Sequence, residues 1–213
     1  MKIAIMGCGG HGREMAQLIG RMRRAGSDVE PLGFLDDNPA LQGATVAGLP
    51  VLGGRDWIEL HHFECEVICA IGKPRARRAA VAELARLGAR FATLIDPAVS
   101  VPAEAVIGEG SMICAGTIMT TNARIGRHVI VNLGCTLSHD ADLADFATLA
   151  CAVHLSGNVT VRAGAELGVG VNVIPGVTIG EWSMVGAGAT VIRDLPPHVT
   201  AVGVPARVIK ELP

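Results

Sequence analysis

Stepping by six residues from Ile95, the chain reads Ile95, Val101, Ile107, Ile113, Met119, Ile125, Val131, Leu137, Leu143, Leu149, Leu155, Val161, Leu167, Val173, Ile179, Val185 and Val191. No step lands on a polar residue. Two residues before each of these positions stands Thr, Val, Ala, Ser or Cys, and Gly follows the aliphatic residue at 108, 126, 168, 180 and 186. An α-helix would need a period of 3.6. A period of six sustained over this length predicts a parallel β-helix. Three hexads make one triangular coil, with the aliphatic residue inward and small residues at the corners. The phase is unbroken, so no loop is expected to interrupt the coil.

Composition agrees with such a core. Hydrophobic residues make up 50% of the 213, aromatics only 3%, and Tyr is absent, so Val, Ile, Leu and Ala must fill the interior. A net charge of −2 gives no reason to expect nucleic acid or an anionic membrane as partner. No signal peptide is recognisable, and no apolar run reaches the ~18 residues of a membrane span. The six cysteines form no disulfide framework, and Cys65-x-x-x-Cys69 is a poor zinc spacing. A reduced, cytoplasmic, soluble protein is expected.

Residues 1–92 follow a different rule. "KIAIMG" (2–7), "PLGFLDD" (31–37) and "EVICAIG" (66–72) read as buried strands. "GREMAQLIGRMRRAG" (12–26) and "RARRAAVAELARLGA" (75–89) read as helices. The alternation predicts a small α/β, Rossmann-like domain, followed by a β-helix domain over 93–213. "MGCGGHGRE" (6–14) satisfies G-x-G-x-x-G through Gly7, Gly9 and Gly12, between a strand and a helix. Its amides and the helix N-terminus suit a diphosphate. Asp36 and Asp37 end the next strand, within reach of a ribose or base. About three strands are half of a dinucleotide domain, so a mononucleotide diphosphate fits better than NAD or FAD.

The coil register selects a second site. Residues eighteen apart should stack at one strand spacing, ~4.8 Å. His139 then lies between Thr121 and Gly157, and Asp140 between Asn122 and Asn158. Gly157 keeps the space beside the imidazole open and leaves a backbone N–H unshielded there. A histidine can take a proton from an attacking amine or hydroxyl, and an N–H can hold the oxyanion of acyl transfer. Adjacent strand residues point to opposite faces, so a direct Asp140–His139 bond requires a local bend. Among the other histidines, His61 and His62 are expected on a loop or helix face, and His128 and His198 at exposed turns. His154 is expected between Thr136 and Asn172, where it can line the same cleft. The gap from His139 to His154 separates them on the coil, so no metal site is expected.

Over nearly its full length the chain resembles the nucleotide-sugar acetyltransferases of the left-handed β-helix superfamily. These include UDP-4-amino-sugar and GDP-perosamine N-acetyltransferases and sialic acid O-acetyltransferase-like proteins. The resemblance rests on "GCGGHGRE", "GFLDD", "AIG" followed by Arg77, "NLGCTLSHD", "SGNV", "GVGVNVIPGVTIG", "VGAGATVIRDLP" and "GVPAR" in this order. It implies a nucleotide-sugar pocket at Gly9, Gly10, His11, Gly12, Asp36, Asp37, Gly72, Lys73 and Arg77. It implies His139 as general base with Asp140 beside it, Asn132 as an active-site asparagine, and Gly157 as the amide facing the acetyl carbonyl. Acetyl-CoA is implied as co-substrate, at Thr148, Gly157, Gly168, Gly186, Ala187, Arg207 and Lys210, with no metal and with active sites between subunits of a homotrimer. Two positions depart from the family pattern. Thr148 stands where a second histidine is common, and "GKPR" (72–75) replaces Gly-Asp/Asn-Asn, so that Lys73 can reach a phosphate while Pro74 removes an amide.

The reading favoured is acetyl-CoA-dependent N-acetylation of a nucleotide-linked 4-amino sugar. Two rivals stay open: O-acetylation of a sugar hydroxyl, and a non-catalytic nucleotide-sugar-binding trimer.

Overall fold

The computed structural model describes residues 1–213. They form two compact units, Met1–Pro97 and Ala98–Pro213.

The first unit is built on β1 (Lys2–Met6), α1 (Gly10–Arg24), β2 (Glu30–Leu35), β3 (Thr45–Val46), β4 (Leu49–Gly53), α2 (Trp57–His61), β5 (Glu66–Cys69), α3 (Pro74–Arg86) and β6 (Leu94–Ile95). The sheet order is β3-β4-β2-β1-β5. β1, β2, β4 and β5 are parallel, and β3 runs antiparallel to β4. The sheet is larger than the three strands expected, because the β3–β4 pair extends its edge. Those short segments carry Gly43, Gly48 and Pro50 and give no sustained alternation, so periodicity passes them by. The core strands lie within the hydrophobic runs: Ile3, Ala4, Ile5, Phe34, Leu35, Val67 and Ile68 are all buried. α1 packs tightly on the glycine loop, where a Cβ on Gly12 would lie 1.9 Å from the carbonyl oxygen of Gly7. Only glycine permits that approach.

The second unit is a parallel β-helix. Two-residue strands recur every six residues from Val106–Ile107 to Thr190–Val191, and those up to Asn172–Val173 each pair with the strand eighteen residues on. The inward residue of each strand is the aliphatic position of the repeat, buried from Ile113 to Val191. Each full burial of such a side chain contributes roughly 1.5–3 kcal/mol. The coil runs without an inserted loop, as expected. Its last rung is shorter: Met184 pairs with Thr200 and Val185 with Ala201. The chain closes with the antiparallel pair Val199–Val202 and Arg207–Glu211.

Two expectations about the repeat fail. Val101 lies outside any strand and is 38% exposed. Pro102 follows it without an N–H to give a ladder, and the chain instead turns there, Ala105 N–H donating to the Pro102 carbonyl at 3.0 Å. His128 is no exposed turn residue but 1% exposed. It does occupy a turn, with φ +55°, yet its ring stacks on Phe146 at 5.2 Å and fills the space left by the missing side chain of Gly110.

Candidate active site

The triangular coil has three faces, and its corners need left-handed backbone. Asn122, Asp140 and Asn158 take φ of +59°, +59° and +58° at one corner. Asparagine and aspartate tolerate this region better than other side chains. The left-handed turn at Asp140 is the bend that strand alternation lacks. It swings the carboxylate back to the preceding residue, so that His139 Nδ1 donates to Asp140 Oδ2 at 2.8 Å. The second carboxylate oxygen, Oδ1, accepts from Asn122 Nδ2 at 3.1 Å. The His139 hydrogen bond, then the Asn122 hydrogen bond, hold the Asp140 carboxyl below the usual carboxylate range. An ionised carboxylate only accepts, so Nδ1 carries the proton of this hydrogen bond, and in the neutral imidazole Nε2 then keeps its lone pair.

That nitrogen lies over Gly157. A Cβ at 157 would fall 2.2 Å from His139 Nε2 and 2.3 Å from Cε1. The rung is tied by Asn158 N–H donating to the His139 carbonyl at 2.9 Å. His139 is exposed, so a substrate can reach the free nitrogen.

Asn132, Gly168 and Gly186 also share one column, at multiples of eighteen residues, on another corner. Asn132 Oδ1 accepts from the Leu133 N–H at 2.8 Å. A Cβ on Gly168 would lie 2.7 Å from the amide nitrogen of Ala187, which is itself exposed. The strand Thr136–Leu137 lies between Asn132 and His139, so the two columns edge a single face. Its outward residues include Thr136, His154 and Asn172 in register, with Thr136 Oγ1 and His154 Nδ1 hydrogen-bonded at 2.9 Å. His154 thus occupies the position expected for it. Thr148 lies on a different face, buried, paired with Ile130 and Glu166. Arg207 and Lys210 are exposed on the closing strand, opposite Val202 and Thr200.

In the first unit Gly9 caps α1, accepting from Arg13 N–H at 3.1 Å, and Gly9 and Gly10 face open space. His11 Nδ1 is hydrogen-bonded to Glu14 Oε2 at 3.0 Å, and its buried Nε2 has no hydrogen-bond partner. The Cys8 N–H donates to Asp36 Oδ2 and the Asn38 N–H to Asp36 Oδ1, both at 3.0 Å. Asp36 therefore shapes the loop as well as bordering it. Asp37 accepts from the Arg55 N–H at 3.0 Å and from Nε at 2.8 Å, and Arg55 also pairs with Glu83. The Arg55 hydrogen bond holds the Asp37 carboxyl below its usual range. Arg55 was missed from sequence because it lies eighteen residues from Asp37 in a loop with no periodicity.

Lys73 is exposed at the start of α3, and Gly72 faces open space. Arg77 departs from its expected place in the pocket wall. It is 0% exposed, and its Nη1 donates to the carbonyls of Ile71 at 2.9 Å and Gly72 at 2.7 Å. One turn into α3, it is directed beneath the loop and sets the backbone of Gly72. Burial pushes the thiols of Cys8, Cys69 and Cys135 up to about 11, so none is a nucleophile at neutral pH.

A glycine loop opening a small α/β sheet, joined in one chain to a β-helix with an exposed His–Asp pair over a glycine, defines a sugar-nucleotide acyltransferase architecture. The PglD N-terminal domain model matches residues 2–84. PerB from Caulobacter crescentus, solved with CoA and GDP-perosamine, is 34% identical with a TM-score of 0.88, covering 99% of this chain and 98% of PerB. The acetyltransferase domain of PglB from Neisseria gonorrhoeae is 32% identical with a TM-score of 0.83, covering 98% and 99%. GDP-perosamine N-acetyltransferase of Escherichia coli is 29% identical over 217 residues, covering 98% of this chain and 96% of that protein. The chain belongs to the nucleotide-sugar N-acetyltransferase family, and its coil is the left-handed parallel β-helix of that family. No helix is long and apolar enough to cross a membrane.

Proposed function

We propose that this chain transfers the acetyl group of acetyl-CoA to the amino group of a nucleotide-linked sugar. The observation that carries the reading is the His139–Asp140 pair with Nε2 directed over Gly157. The amine of the sugar attacks the thioester carbonyl, forming the C–N bond. Nε2 of His139 accepts the proton the nitrogen sheds, and Asp140 balances the imidazolium that results. The Gly157 N–H holds the oxyanion, and collapse of the intermediate expels CoA as thiolate, which takes up a proton. The glycine loop, with Gly9, Gly10, His11, Gly12 and Gly72, holds the sugar nucleotide's phosphates, and Lys73 reaches them from α3.

Acetyl-CoA lies along the face edged by Asn132, Gly168 and Gly186 on one side and His139 on the other. A neighbouring subunit of a homotrimer covers that face. Arg207 and Lys210 meet the phosphates of CoA. Full-length similarity to enzymes solved with or named for GDP-perosamine supports a GDP-linked 4-amino sugar as acceptor.

The test is a panel of UDP-, GDP- and dTDP-linked amino sugars and their hydroxy counterparts, each with acetyl-CoA, followed by release of free CoA thiol. Turnover with an amino sugar and none with its hydroxy counterpart is expected. Turnover confined to hydroxy sugars would replace amine by hydroxyl transfer, and binding without turnover across the panel would end the enzymatic reading. Light scattering should give three chains per particle; a monodisperse monomer with full activity would remove the shared site.

A further inference from the structure

We infer that Asn122 is a positioning residue for the transfer step: its side-chain amide fixes the Asp140 carboxylate and, through it, the His139 imidazole. This rests on the reading of His139 as general base. Asn122 Nδ2 donates to Asp140 Oδ1 at 3.1 Å, while the other oxygen, Oδ2, accepts from His139 Nδ1 at 2.8 Å. The three side chains form a linked row climbing one rung of the coil.

The row is needed because the pair is exposed, with side chains 54% and 45% accessible. An isolated ion pair in water holds its geometry weakly. A carboxylate held through one oxygen can still rotate, and the imidazole would rotate with it. A donor on the second oxygen removes that freedom. The backbone is set separately, since Asp140 N–H donates to the Thr121 carbonyl at 3.0 Å. The amide of Asn122 is therefore free to act on the carboxylate alone.

Residue type at 122 answers two demands together. The corner requires a left-handed residue, φ +59°, which Gly, Asn and Asp all accept. Gly would supply no donor, and Asp would set a second carboxylate against Asp140. Of these three, only Asn meets the backbone demand and donates. The charged groups around the row are few. Glu104, one rung below, accepts from the Thr121 hydroxyl at 2.5 Å. Arg124 and Asp142 line, with Glu104, Asn122, Asp140 and Asn158, a groove of about 520 Å³ onto which the carboxylate opens.

The experiment compares Asn122→Gly, Asn122→Asp and His139→Ala in the full-length protein, using acetyl-CoA and the best acceptor of the panel above. It reads kcat, both KM values, the pH profile of kcat, and Tm. Asn122→Gly keeps the left-handed corner and should keep the wild-type Tm and the KM for acetyl-CoA. Its kcat should fall about tenfold, the effect of one hydrogen bond to a charged group. Asn122→Asp keeps shape and corner but adds an anion, which favours the protonated ring, so the acidic limb of the kcat profile should move to higher pH. With His139→Ala inactive, a wild-type kcat in Asn122→Gly, or a kcat loss that tracks a fall in Tm while the Asn122→Asp profile superimposes on wild type, overturns the proposal and leaves the base assignment standing. Full turnover in His139→Ala overturns the base assignment, and this proposal with it.

Discussion

The two units place their functional groups by different means. In the β-helix a residue's neighbours are fixed by counting, because each rung repeats the last after eighteen residues. His139 meets Gly157, and Asp140 meets Asn122, by register alone. In the α/β unit the corresponding groups come from loops at strand ends. Gly72 owes its place to a buried arginine five residues on, and Asp37 owes its partners to Arg55 in a loop after β4. A site built on a repeat needs few supporting residues, since the ladder positions it. A site built on loops needs dedicated ones, and here two of them are arginines.

The sharpest way to break this comparison is His139→Ala. The side chain is exposed and holds no core, so stability should survive while kcat falls about 10²–10⁴-fold, the usual worth of a general base. A coil whose register merely happens to juxtapose these groups would lose nothing. Arg77→Met attacks the loop side. The buried guanidinium leaves two carbonyls unpaired when removed, at about 3 kcal/mol. Chemical denaturation should show that loss, with KM for the sugar nucleotide raised and KM for acetyl-CoA unchanged.

Gly157→Ala tests contact without backbone strain, since Gly157 is not left-handed and an added Cβ would fall on the imidazole. The ring must turn away, and kcat should fall by about 10² with little change in Tm. Wild-type turnover in this variant would separate the ring from the glycine. A smaller effect is read by NMR titration of Asp140. Its carboxyl is lowered, so the grip of the carboxylate on the ring is present above the usual carboxylate range and lost as pH falls through the lowered value. His139→Ala removes the larger cause, so the Asp140 titration should move upward, yet remain partly lowered by Asn122. The smallest effect is expected for Arg55→Ala, a surface network worth no more than about 1 kcal/mol. A large loss of sugar-nucleotide affinity in that variant would make Arg55 a ligand contact.

Legibility divides along the same line. The β-helix could be read because its hydrophobic period is single and long, and the stacking of His139 on Gly157 followed from it. The Asp140–His139 hydrogen bond could not be read from alternation, because the left-handed corner breaks alternation at that residue. His128 was misplaced for a related reason. A polar residue at a turn is ordinarily exposed, but the coil stacks its corners, and an aromatic neighbour eighteen residues on buried the ring. Val101 kept the six-residue phase yet lies outside any strand, since a hydrophobic period does not register that Pro102 beside it has no N–H to give a ladder. The family resemblance put Arg77 in the sugar-nucleotide pocket, while packing turned it inward.

By itself the sequence determined the two architectures, the register of the coil and the pairing of imidazole with glycine, because a constant repeat converts sequence distance into spatial distance. Only the tertiary structure decided which way side chains turn at the corners, which charges are buried beneath loops, and how Asn122 and Asp140 join the histidine. Those outcomes depend on left-handed backbone and on neighbours from other rungs or other loops, and neither is encoded in any local pattern of residues.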